Sequence, residues 1–341
     1  MSSDQTKILV TGASGVIGRS LLEALRSRSV VALEHQSRVH EESHVQWVRG
    51  DVTATDLGLG EQYDAVAASV THVVHIAAAV DFNVEPQSIE TINLGGTRNV
   101  VAFARAAGAP LVHVSTAFVD RREQALSVSG CADGRDAYLR SKTLGEQVVR
   151  ESGLDYAIVR PSLLAGDVGS GEIPRHQGLH AFLGAYAKGA LPFVPFPEDT
   201  YIDFVPRDVV AAAIARLLSV DLTGQELWLT AGRGSLTARA LVDLVRGTLA
   251  PAGVHLDSPR FFPTETVQRL LQPAFFSELE GRDRNKFEHL LAVASVFADE
   301  VFPSDLGKGE LSGLALSEND SAALIEATVD RYWTPALREA I

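Results

Sequence analysis

Only one cysteine, Cys131, occurs among the 341 residues, which excludes an intramolecular disulfide and any zinc cluster built on cysteines. So little thiol chemistry points to a reducing, cytosolic compartment. Basic side chains are outnumbered as well: 30 Lys and Arg stand against 43 Asp and Glu, and the net charge of −13 would repel a phosphate backbone. Nucleic-acid binding is therefore not expected. Long hydrophobic runs are missing. The longest charge-free apolar stretch, 65–80, contains Ser69, Thr71, His72 and His75, and is too short and too polar to span a bilayer. Met1 to Thr6 leave too little room for a signal peptide before the first apolar run. None of the ten histidines stands in a His-Glu-x-x-His or similar spacing, so no metal is expected. There is also no internal repeat, heptad array or low-complexity tail.

What is present is an acidic chain, 46% apolar, long enough for roughly two domains at about 150 residues each and able to hold a core without disulfides or metal. Short β-rich runs at 7–11, 30–33, 45–48, 72–76, 111–114 and 156–159 alternate with amphipathic stretches at 17–28, 87–107 and 137–152. Several runs are apolar almost throughout, as in parallel strands covered on both faces. The alternation predicts an α/β chain of βαβ units in a doubly wound parallel sheet. After about residue 160 the pattern loosens through a glycine-rich 166–178 and a proline-rich 191–197, which cannot be a helix interior. A strand at 201–204, a helix at 206–218 and a strand at 226–230 follow. From 231 onward the spacing predicts helices near 237–249, 264–271, 285–296 and 320–332. The expected division is a dinucleotide-binding domain over 1–230 and a smaller, mostly helical substrate lobe over 231–341, with parts of 166–200 joining the lobe.

Thr11-Gly-Ala-Ser-Gly-Val-Ile-Gly18 begins where the first strand ends and a helix starts, the setting in which a glycine loop can cradle a phosphate. Glycine permits the tight turn and the close backbone approach, and the helix N-terminus offers free N–H donors. Tyr138 and Lys142, four apart, project from one helix face. An ammonium placed there favours ionisation of the phenol and brings its pKa toward a range useful for proton transfer. Ser115-Thr116 closes the fifth strand, and ligands of open α/β sheets bind outside the carboxyl ends of the strands. At the end of the second strand stand Glu34, suited to a free ribose, and Arg38, suited to a 2′-phosphate.

The Gly-x-x-Gly-x-x-Gly spacing resembles that of the extended short-chain dehydrogenase/reductase superfamily, and the resemblance recurs at intervals to about Thr230. It implies a Rossmann sheet. Gly50-Asp51-Val52 resembles the segment that holds the adenine through a carboxylate, here Asp51, and a neighbouring N–H. His75-Ile-Ala-Ala-Ala79 resembles the small-residue turn over which the cofactor lies, and Asn93-Leu-Gly-Gly-Thr97 the helix motif with an asparagine near the active site. Arg160-Pro-Ser-Leu-Leu-Ala-Gly166 looks like the segment laid against the nicotinamide amide, and Tyr201-Ile-Asp-Phe-Val-Pro-Arg-Asp-Val-Val210 like the later strand-to-helix passage, with Asp208 as a cap. The implied catalytic residues are Thr116, Tyr138 and Lys142, with Ser115 as the alternative hydroxyl. The implied cofactor contacts are Gly12, Ser14, Gly15, Val16, Ile17, Gly18, Glu34, Arg38, Asp51, Val52, Ala77, Ala78, Ala79, Tyr138, Lys142, Pro161, Ser162 and Leu163.

Within the superfamily, 75–82, 114–118 and 138–146 are most similar to the fatty acyl reductase and thioester reductase branch. That similarity implies an NADPH-dependent reductase, NADH being the alternative, that converts a coenzyme A- or carrier-bound acyl thioester to an aldehyde or alcohol. An acyl carrier protein is the implied partner. Glu34 departs from the basic residue usual in the branch. Rival readings are a ketone or hydroxyl oxidoreductase, a nucleotide-sugar epimerase or dehydratase, and a non-catalytic dinucleotide sensor. Phe261, Phe262, Phe275, Phe276 and Phe287 are available to line an acyl channel.

Overall fold

A computed structural model of the chain describes residues 6–35, 43–81, 84–121, 134–191, 193–267, 269 and 300–338. Seven strands form the main sheet: β1 (Lys7–Thr11), β2 (Ser29–Glu34), β3 (Val45–Arg49), β4 (His72–His75), β5 (Leu111–Val114), β6 (Tyr156–Pro161) and β7 (Gln225–Leu229). Their spatial order is β7-β6-β5-β4-β1-β2-β3 and every pairing is parallel. The order reverses between β1 and β4, which leaves a crevice at their carboxyl ends.

The near-continuous apolar runs follow from burial on both faces. On one, Val10, Val74, Val112, Val114 and Val159 pack against α1 (Val16–Ala24) and a helix at Arg207–Leu217. On the other, Leu9, Val31, Val73, Leu111 and Ile158 meet α2 (Tyr63–Ser69) and residues Val100, Val101, Phe103 and Ala104. Those four belong to the long helical stretch expected at 87–107, which the structure divides. It runs as α3 (Pro86–Glu90), a π turn (Thr91–Gly95) and α4 (Gly96–Ala107). Apolar spacing is kept on either side of the π turn, so periodicity alone could not reveal it. Such turns are frequent at functional sites.

A separate apolar core joins Ala165, Leu183, Phe196, Ile202 and Phe204 to Leu241, Val242, Leu324, Ile325 and Trp333. Three short strand pairs help build this part: Leu163–Ala165 with Phe204–Pro206, Tyr201–Ile202 with Leu236–Thr237, and Phe193–Val194 with Arg260–Phe261. The chain therefore enters this core before the helix at 207–217 and β7, and again after them. The helix expected at 320–332 is present as Glu318–Tyr332, with a capping box at Ser317 and Asp320. The one expected at 285–296, most of that at 264–271, and Phe275, Phe276 and Phe287 lie outside the described residues.

Candidate active site

The glycine loop closes on itself because three side chains are absent. Gly12 has φ +71°, and a Cβ there would fall 2.6 Å from the Ala77 nitrogen. One on Gly18 would fall 2.2 Å from the Gly12 carbonyl oxygen, and one on Gly15 at 3.1 Å from the same atom. Gly15 caps α1 in an extended conformation, its N–H donating to Gly12 O at 3.0 Å, and Val16, Ile17 and Gly18 form the first helical turn. The first-turn N–H groups of a helix lack intrahelical acceptors and attract an anion. Ser14 lies at the rim of the loop, where its carbonyl accepts from Arg19 Nε at 3.0 Å.

A chain of hydrogen bonds joins this loop to the end of β4. Thr11 Oγ1 accepts from the Ile76 and Ala77 N–H groups and lies 2.8 Å from His75 Nδ1. His75 Nε2 lies 3.3 Å from Thr97 Oγ1, whose hydroxyl is committed to Asn93 O at 2.6 Å. This pattern assigns the proton of a neutral imidazole to Nε2. Burial, with the Lys142 cation adding to it, pushes the His75 pKa down to about 3. Asn93, in the π turn, accepts from the Ala79 N–H at 2.7 Å, and its Nδ2 donates to Ala79 O and to Ser141 Oγ, both at 3.1 Å. The small-residue turn Ala77-Ala78-Ala79 is thereby tied to the helix that bears Tyr138 and Lys142, α5 (Gly134–Arg150).

Thr116, just past β5, and Tyr138 are brought together through a hydrogen bond between their side chains. Ring burial pushes the phenol up to about 12, the Thr116 hydroxyl opposing that shift. This reverses the direction expected from the Tyr-Lys spacing. The Lys142 ammonium donates to Val114 O at 2.9 Å, and burial brings its own pKa down to about 8 against the pull of Glu146. Ser115 Oγ is buried with no hydrogen-bond partner, as are both ring nitrogens of His113. Beside Tyr138 an apolar wall forms from Ala117, Phe118, Leu139, Leu163, Trp228 and Phe302, with Phe302 edge-on to Phe118 and stacked on Trp228. Phe261 and Phe262 lie elsewhere. The first packs against the second core, and the second is edge-on to Phe193.

At the far end of the crevice, Glu34 closes β2 and pairs in register with Arg49, a cation that the sequence reading did not consider. Arg38 lies outside the described residues. The Asp51 carboxylate accepts from the Thr53 N–H at 2.8 Å, which holds its pKa low, and lies 3.6 Å from His35 Nε2. Val52 is buried, its carbonyl accepting from Asn99 Nδ2 at 2.9 Å.

Pro161 ends β6, Ser162 follows it, and Leu163 opens the next short strand. Ser162 Oγ is buried with no hydrogen-bond partner, while the buried carboxylate of Asp203 accepts from the Ala231 and Gly232 N–H groups and Ser235 Oγ at 2.8–3.0 Å. Burial raises the Asp203 pKa while these donors lower it. Sequence reasoning passed over Asp203 because its donors come from residues some 30 positions later. Asp208 does not cap its helix: Pro206 occupies that position, and the carboxylate accepts from the Val168 N–H of the preceding loop. No group of three or more metal-ligating side chains occurs among the described residues. Among them no helix is long and apolar enough to cross a membrane.

The chain matches the Male sterility protein family, an NAD-binding domain, over residues 26–214. It is 26% identical over 228 residues to the hybrid PKS-NRPS synthetase pvhA of Talaromyces variabilis, covering 63% of this chain and 6% of that protein. It is also 26% identical over 269 residues to mouse fatty acyl-CoA reductase 1, covering 60% of this chain and 52% of that one. The chain thus spans a small fraction of the synthetase and about half of the mouse enzyme. Among solved structures, the terminal R domain from the myxalamid PKS-NRPS biosynthetic pathway superposes with a TM-score of 0.74 at 21% identity, over 98% of this chain and 92% of that domain. The glycine cradle, the seven-stranded order and the matched residues agree, and the chain belongs to the Male sterility protein family, with the extended short-chain dehydrogenase/reductase fold.

Proposed function

We propose that the protein reduces an acyl thioester, held on coenzyme A or on an acyl carrier protein, to an aldehyde at the expense of NADPH, with NADH as the lesser donor. The observation that carries this reading is the Thr116–Tyr138 hydroxyl pair at the carboxyl end of β5, bounded by the apolar wall of Phe118, Leu163 and Phe302. The names of the relatives, a hybrid PKS-NRPS synthetase and a fatty acyl-CoA reductase, support the same substrate class.

The cofactor fits the site: the cradle at Gly12, Gly15 and Gly18 would hold a pyrophosphate, Asp51 and Val52 would flank the adenine, and Lys142 with 161–163 would hold the nicotinamide ribose and amide. Bound reduced nicotinamide supplies the hydride that reaches the thioester carbon. As the carbonyl oxygen gains charge, the Thr116 and Tyr138 hydroxyls donate hydrogen bonds to it, where donors already in place are most valuable. A phenol with a pKa near 12 is fully protonated at neutral pH, which suits a proton donor rather than a base. Tyr138 gives its proton to the oxygen, and the Lys142 ammonium stabilises the phenolate left behind. The resulting hemithioacetal returns a proton to Tyr138 as its C–S bond breaks, releasing aldehyde and a thiolate that protonates to the thiol.

The test is to incubate the protein with NADPH and a panel of acyl-coenzyme A and carrier-bound thioesters, measuring free thiol and hydrazine-trapped aldehyde. Equal amounts of each are expected from the preferred thioester. Cofactor oxidation with ketones or sugars and no thiol release from any thioester would refute the assignment.

A further inference from the structure

We propose that Glu146 is a positioning residue for the Tyr138–Lys142 pair: its buried carboxylate, one helical turn beyond Lys142 and clamped by Arg160, ties α5 to the strand leading into 161–163 and sets a fixed negative charge beside the lysine. This rests on the reading of Tyr138 and Lys142 as the proton-donating pair.

Glu146 and Arg160 are 3% and 6% exposed. Arg160 donates to Glu146 through two nitrogens, Nε to Oε1 at 2.8 Å and Nη2 to Oε2 at 2.7 Å, the planar fork geometry that guanidinium and carboxylate share. Arg150 Nη2 adds a third bond to Oε2 at 2.7 Å. Both arginines then turn to Glu226 on β7, with Arg160 Nη2 at 2.5 Å, Arg150 Nε at 2.6 Å and Arg150 Nη2 at 2.9 Å. Arg160 also lies over the Trp228 ring, 5.2 Å from its centroid. The quartet therefore joins α5, β6 and β7, and α5 and β6 are the two elements that lead to the reacting groups.

Stability alone is a weak reason for such a cluster, since apolar residues of similar volume commonly serve as well as a buried ion pair. The neighbourhood of Lys142 supplies a better one. His75 from β4 and His113 from β5 both face the ammonium, and burial holds both rings neutral. Tyr138 is protonated, and β5 also offers the neutral Val114 carbonyl, which accepts from the ammonium. Among the described residues, the negative charge that acts on Lys142 is that of Glu146, opposing the desolvation of the ammonium. Arg160 and Arg150 hold that carboxylate in place, and their own charge limits how strongly it pulls on the lysine.

The experiment follows NADPH affinity by nicotinamide fluorescence between pH 6 and 10 in wild type, Lys142→Ala, Glu146→Gln, Arg160→Gln and Glu226→Gln, with thermal melting of each. Wild-type affinity should weaken above pH about 8, and Lys142→Ala should lack that limb. Glu146→Gln should move the limb down by about one unit, and Arg160→Gln, which unmasks the carboxylate, should move it up. Each reads the same coupling with opposite sign, so one folded variant decides. Glu226→Gln breaks the same cluster away from Lys142, and should lower the melting temperature while leaving the limb in place. A limb that survives in Lys142→Ala overturns the reading of the site and the proposal with it. A limb lost in Lys142→Ala but unmoved in Glu146→Gln, or moved equally in Glu226→Gln, overturns the proposal alone.

Discussion

Acid should loosen the dinucleotide cradle through His75. The ring is almost fully enclosed, and its neutral form is written into its contacts: Nδ1 accepts a hydrogen bond from the Thr11 hydroxyl and Nε2 faces a Thr97 hydroxyl already committed to Asn93. With a folded-state pKa of about 3 against about 6.5 unfolded, only the unfolded chain binds this proton between those values. The His75 contribution is therefore complete above pH 6.5 and is lost as the pH falls toward 3. The loss is about 1.4 kcal/mol per pH unit, or about 2 kcal/mol at pH 5. His180, pushed by burial to about 4, and His113, held well below the ordinary imidazole range, act in the same direction. His75 and His180 together remove about 4 kcal/mol by pH 5, a large share of the stability of a typical domain, about 5–15 kcal/mol. Urea unfolding followed by circular dichroism from pH 7.5 to 5, on wild type and His75→Gln, checks this. The variant starts less stable, but its dependence on pH should be shallower by about 1.4 kcal/mol per unit. Parallel slopes would refute the assignment of this proton to His75.

Tyr138→Phe should lower turnover by about a hundredfold to ten-thousandfold while NADPH affinity stays within a few-fold, whereas Lys142→Ala should damage both. Turnover by Tyr138→Phe near the wild-type rate would remove the phenol from the chemistry. Gly18→Ala places a methyl group 2.2 Å from the Gly12 carbonyl oxygen, so dinucleotide binding measured by calorimetry should be lost, and unchanged affinity would disprove the close approach. Arg38→Ala should lower the NADPH to NADH affinity ratio about tenfold to a hundredfold if Arg38 grips the 2′-phosphate, since a charge-assisted bond is worth about 1.5–3 kcal/mol. An unchanged ratio clears Arg38 and directs attention to Arg49, in register with Glu34.

The parts legible in the sequence were those whose physics is local. Apolar runs such as Leu9-Val10 and Val73-Val74 can only be strands covered on both faces, and the structure buries their alternate side chains against different helices. The glycine spacing at 12, 15 and 18 was readable because each position answers to backbone sterics a few residues away. Tyr138 and Lys142 were readable because residues four apart on a helix share a face wherever the helix lies. Electrostatics and connectivity across the chain were not. Whether Lys142 or burial governs the phenol depends on what surrounds the ring, and here burial dominates while the ammonium turns to Val114. Asn93, in the π turn, bonds Ala79 and Ser141 together, and those partners come from two segments distant in sequence. Asp203 and the Glu146–Arg160 clamp likewise acquire meaning only when residues tens of positions apart converge in a medium where an unmatched charge is costly. The sequence by itself thus determined the strands, the glycine loop and the facing Tyr-Lys pair, through steric and periodic rules that act within a few residues. The protonation states and the bonds that hold those parts in register were decided by tertiary structure alone, because burial and charge pairing are properties of the assembled neighbourhood.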